Sequence, residues 1–165
     1  MLKKFFLIFF LVLMIPANLF AEWSVEGGTI VTPKDYDIGK LNKFQKGVKL
    51  TISGEKLERK NKIKKAKKKY EKALEYFLNA NKENQSNVEI LNYLGFISAK
   101  LGKYDNSEIY YLLVLSIDPD HLEANGLLGE LYFKTNRVDL AKERLKILKN
   151  CNCSHYLILK KIIAN

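Results

Sequence analysis

Cys151 and Cys153 stand one residue apart, with His155 two places further on. Three chemistries are open to such a cluster. The thiols can close a small local disulfide, a strained ring that an oxidising compartment allows. They can stay free or pair between chains. Two thiolates and an imidazole can also approach a soft metal ion, but zinc wants four ligands and only three are near. A local disulfide is the expectation, with no metal and no cofactor. The other histidine, His121, follows Asp118-Pro119-Asp120 and reads as a surface turn residue. No glycine-rich phosphate loop, His-Glu-x-x-His or serine elbow is present, and the carboxylates are spread along the chain. The residues therefore point away from an enzyme.

The second chemical feature is a lysine run. Glu55 to Lys72 holds ten basic and three acidic side chains, whereas Val88 to Lys146 holds seven and nine. The +10 net charge is thus polarised along the chain. Lys60, Lys64, Lys65, Lys68, Lys69 and Lys72, with Lys62 and Lys67, wrap every side of a helix except its apolar stripe. That is either a solvated face or a contact for anionic lipid headgroups or envelope polymers. Each lysine near such a surface is worth about 1 kcal/mol. Nucleic acid is the least suitable target, because no aromatics are interleaved.

These groups must be positioned by a folded domain. The 165 residues are 47% apolar and 12% aromatic, which suits one domain and excludes a wholly disordered chain. Lys3 and Lys4 precede eleven apolar residues, Phe5 to Ile15, then Pro16 and a small-residue end at Ala21. Residues 1–21 read as a secretory signal cut after Ala21, with Ala17 the other candidate and a retained anchor the alternative. Residues 22–34, with Gly27, Gly28 and Pro33, read as a flexible leader in which Trp23 is a loose aromatic. The mature chain is expected outside the cytoplasm, in the periplasm or cell envelope.

From Val88 the sequence repeats at 34 residues. Glu89 maps onto Glu123, Leu94-Gly95 onto Leu128-Gly129, Asp105 onto Asp139, Ser107 onto Ala141 and Val114 onto Leu148. Each unit, 88–121 and 122–155, reads as two short amphipathic helices. Leu91, Leu94 and Leu101 line the first and Tyr104, Ser107, Tyr111 and Val114 the second, with Gly102 as a left-handed stop. Gly95 and Gly129 are expected in equivalent surroundings. Residues 35–87 read as a longer, basic and atypical hairpin. Ile63, Ala66, Tyr70, Ala73, Leu74, Phe77 and Ala80 form one stripe, and Asn61 is the turn. Upstream, Ile38, Leu41, Phe44, Val48 and Leu57 give a weaker stripe interrupted by Gly47 and Gly54. A strand over 48–52 is the alternative there. Residues 154–165 read as a capping helix with Ser154 at its start.

The Leu91, Leu94-Gly95, Ser107, Tyr111, Val114, Pro119 series and its copy at Leu128-Gly129, Tyr132, Ala141, Leu145 and Leu148 resemble the tetratricopeptide repeat (TPR). Ser98, Asn125 and Cys153 depart from that pattern. Asn92 to Gly95, Gly129 to Tyr132 and the two cysteines also resemble small secreted bacterial members of the family. The resemblance implies an all-α solenoid of about three antiparallel hairpins plus a C-terminal cap, acting as a non-catalytic protein-binding scaffold. It also implies a concave groove lined by Glu89, Asn92, Phe96, Ala99 and Lys100, then Glu123, Gly126, Glu130, Phe133 and Lys134. Phe96 and Phe133 are either peptide anchors or core. The family's lysine–asparagine clamp for a C-terminal carboxylate is not supported, because Asn92 and Phe96 occupy its first two positions.

Overall fold

The structure, a computed structural model, describes residues 42–164. The expected signal and leader, with Ile38 and Leu41, lie outside them. Among the described residues seven α-helices follow one another: α1 Lys43–Arg59, α2 Ile63–Glu83, α3 Val88–Lys100, α4 Tyr104–Ile117, α5 Leu122–Lys134, α6 Val138–Ile147 and α7 Ser154–Ile163. A 3₁₀ turn, Leu148–Asn150, extends α6. Among the described residues there is no strand, and 48–52 is helical.

Local chemistry sets the helix ends. Asn42 caps α1 in a reciprocal box with Gln45, and the Asn87 side chain accepts from the Ile90 amide at 3.0 Å. His121, expected as an idle surface residue, caps α5: its Nδ1 accepts from the Ala124 amide at 3.1 Å. Ser154, expected as a cap, is instead the first residue of α7, and Cys153 before it makes no side-chain cap bond. Each hairpin turns on one left-handed residue, Asn61, Gly102 and Asn136, at φ 56°, 76° and 62°. Asparagine and glycine are the residues that tolerate that conformation.

Those three turns reveal a common register. Gly54, Gly95 and Gly129 each lie seven residues before the turn, and Ala66, Ser107 and Ala141 each lie five after it. All six are buried where paired helices cross. A Cβ on Gly54 would come within 2.5 Å of the Tyr70 ring, and one on Gly95 within 2.6 Å of the Tyr111 ring. The glycines of α1 are therefore contact points, and the stripe they were expected to interrupt continues through them. Gly47 repeats the arrangement under Phe77. Ser107 adds a hydrogen bond across its crossing, its hydroxyl donating to the Gly95 carbonyl at 2.8 Å.

The first hairpin is longer because α2 has 21 residues where α4 has 14. Seven residues are close to two full turns, so the buried face keeps its direction. The extra turns place Phe77 in an aromatic cluster with Phe44 and Tyr93, with ring centres 4.9–5.8 Å apart. Ile63, placed in the apolar stripe by its spacing, is exposed at the start of α2.

Gly95 and Gly129 do not have the same surroundings. Gly129 lies beneath Leu159 of α7 and beside Arg144, not beneath an aromatic of its own hairpin. Leu145 stands where Tyr111 does one repeat earlier, and its smaller side chain leaves space that α7 fills. His155 covers Gly126 one turn earlier.

Candidate functional site

A groove of about 500 Å³ opens beside α3 and α5. Its walls are Phe96, Ala99 and Lys100 from α3 and Leu127, Glu130, Leu131, Phe133 and Lys134 from α5. Glu58 of α1, Tyr111 of α4 and Ile162 of α7 complete it. Phe96 and Phe133 are half-buried: each packs against a core cluster and also lines the groove. Each ring thus has one side in the core and the other facing the groove.

The groove is electrostatically uneven. The Lys100 ammonium donates to Glu58 Oε2 at 2.8 Å and stands 5.4 Å from the Phe96 ring centre. The Tyr70 hydroxyl donates to the same carboxylate oxygen at 2.9 Å. Burial works against the charge on Glu58, but these two donors outweigh it and hold the carboxyl below its ordinary range. Glu130 goes the other way. Burial raises its carboxyl above the ordinary value, and His155 and Lys100 offset this only in part. Lys134 makes no ion pair among the described residues and stands 5.0 Å from the Tyr104 ring centre.

Six of the ten residues expected in the groove line it: Phe96, Ala99, Lys100, Glu130, Phe133 and Lys134. Four do not. Asn92 is buried with its Oδ1 unpartnered, and Glu89 and Glu123 are exposed on the first turns of α3 and α5. Gly126, expected to be open, is covered by His155. Sequence reasoning missed Glu58. The common register exposes it, because Glu58, Ala99 and Phe133 stand three residues before the three left-handed turns.

The lysines fall on more than one side. Lys60, Lys65, Lys68, Lys69 and Lys72, joined by Lys56 and Lys62, line a separate cleft of about 560 Å³ between α1 and α2. Lys64, expected with them, does not line it. Cys151 and Cys153 are joined as a disulfide immediately before α7. Among the described residues, no group of three or more His, Cys, Asp and Glu could hold a metal ion. Asn125, a departure from the repeat pattern, is fully buried and works as a tie. Its Nδ2 donates to the Pro119 and His121 carbonyls, and its Oδ1 accepts from Arg144 at 3.2 Å.

Comparison with curated proteins returned no match. The tetratricopeptide repeat family matches residues 88–121. The first TPR of Spaghetti (RPAP3), solved with an HSP90 peptide, superposes at TM-score 0.52 and 19% identity, over 72% of this chain and 90% of its own. The second TPR domain of human RPAP3, solved with an HSP70 peptide, gives 0.53 and 14%, over 75% and 99%. The Sgt2 TPR domain from Aspergillus fumigatus gives 0.55 and 18%, over 72% and 76%. One repeat, residues 88–121, matches the tetratricopeptide-repeat family in sequence, and three hairpins packed in a single register give the described residues the fold of tetratricopeptide-repeat domains.

Proposed function

We propose that this chain is a non-catalytic scaffold that binds a segment of a partner protein, and that it works in the periplasm or cell envelope after export. The groove carries the reading: two half-buried aromatic rings beside the Lys134 ammonium, which makes no ion pair among the described residues, on pre-formed helices. Pre-formed helices spare a bound segment part of the ordering cost of association. The segment seats an apolar side chain against Phe96 and Phe133 and turns a carboxylate toward Lys134. The RPAP3 domains, of the same fold, were solved with peptides. With Asn92 buried and Phe96 in the groove, this chain calls for a different mode of seating. The signal-like segment ending at Ala21 and the disulfide both suit an oxidising compartment.

The test is selection from a displayed peptide library, followed by titration of the selected peptides. Phe96→Ala, Phe133→Ala and Lys134→Glu should each weaken binding roughly tenfold, the scale of a central interface contact, while the helical circular dichroism spectrum is kept. Peptides bound equally by Lys134→Glu and the parent chain would refute the proposed seat. So would loss of folded structure in both aromatic variants, which would make the rings core.

A further inference from the structure

We infer that the cleft between α1 and α2 binds a soluble anion carrying several phosphate groups. Seven lysines from two helices and the turn between them, Lys56, Lys60, Lys62, Lys65, Lys68, Lys69 and Lys72, line one concavity of about 560 Å³. Ser53 and Leu57 complete it, and no carboxylate lines it. None of the seven makes an ion pair among the described residues, although Lys43, Lys100, Arg137 and Lys142 all do. Of the three acids next to lining residues in sequence, Glu58 is committed to Tyr70 and Lys100, and Glu55 and Glu71 stand outside the lining.

The arrangement works against the fold that carries it. Lys65 with Lys68 and Lys69, and Lys68 with Lys72, are like charges at helical neighbour spacing, which weakens a helix. The first turn of α2 has no acidic residue and no side-chain cap, so lysines crowd the positive end of its dipole. A polyanion relieves both repulsions at once. Phosphate suits compact ammonium groups, since each group offers several acceptor oxygens and more charge than a carboxylate. The concave shape suits a soluble, compact anion better than the plane of a bilayer. This cleft shares no lining residue with the peptide groove, so the inference stands apart from the function proposed above.

The probe is tripolyphosphate, titrated calorimetrically into the chain in phosphate-free buffer at low salt. It should bind one to one, raise the unfolding temperature, and lose its hold as salt screens the cleft. The triple variant Lys65→Gln, Lys68→Gln, Lys72→Gln should weaken binding roughly tenfold or more, because each lost phosphate contact removes part of a steep electrostatic term. Lys64→Gln, Lys67→Gln, Lys82→Gln removes the same charge outside the cleft and should leave affinity within about twofold. Amide shift perturbations in the parent chain should centre on α1 and the first half of α2. Equal weakening in both triples, shifts centred on α5 to α7, or no binding would overturn the inference. Binding to phosphatidylglycerol vesicles without binding to tripolyphosphate would also overturn it, and would assign the lysines to a lipid surface.

Discussion

Glu58 and Glu130 share one groove under opposite influences. Glu58 gains more from Lys100 and Tyr70 than burial removes, so its carboxyl titrates below its ordinary range. Its contribution to stability is complete above the unfolded-state value and disappears as pH falls through the folded one. Glu130 is raised by burial, so its ionisation weakens the fold as pH rises through the carboxylate range. Glu58→Gln should therefore lower the unfolding temperature at neutral pH, and Glu130→Gln should raise it. The Glu130 difference should vanish once pH falls below the ordinary carboxylate range, whereas the Glu58 difference should persist to lower pH, until its depressed folded-state carboxyl is also protonated. Thermal scans from acid to neutral pH test this, and parallel curves for either variant would contradict it. The turns give a second test at this scale. Asn61 and Asn136 already hold the position of Gly102. Gly102→Asn should be nearly neutral in a urea titration, whereas Gly102→Ala should cost about 1 kcal/mol of left-handed strain.

Among the elements, α7 is more than a solvent screen. Leu159 is fully buried over Gly129, His155 lies over Gly126, and Ile162 reaches the groove wall. The last repeat leaves a gap on its inner side, and α7 closes it. Leu159→Ala should destabilise by about 2–5 kcal/mol, the usual cost of emptying a core leucine site. Hydrogen exchange should quicken first in α5 and α7. Unchanged exchange in α5 would mean that α7 rests on the repeat without supporting it.

On the scale of the whole described chain, two core clusters meet in α3. Ile90, Leu94 and Ile97 belong to the cluster of α1 and α2, while Leu91 belongs to that of α4 to α6. Repeat arrays are stabilised by nearest-neighbour contacts. Phe77→Ala, at the outer end of the long hairpin, should cost about 3–5 kcal/mol and lower protection mainly in α1 and α2. Leu94→Ala, in the shared helix, should lower protection on both sides of α3. Hydrogen exchange read helix by helix separates the two patterns, and identical profiles would show a single indivisible core.

Much of this was readable from residue order alone. The 34-residue spacing, the Asn61 and Gly102 turns, the Tyr111 and Val114 stripe and the all-helical class depend on local periodicity and on conformations that few residue types accept. The first hairpin hid its kinship because seven added residues put its turn 41 positions before the next, where a fixed 34-residue comparison cannot find it. Its glycines looked like breaks because only a facing ring turns a missing side chain into a contact. Lysine spacing showed charge on every side of α2, but not that α1 folds over it to gather seven lysines into one cleft. Which charges pair, which carboxyl is buried and which helix covers a glycine depend on distances between residues far apart in the chain, and the tertiary structure alone fixes those.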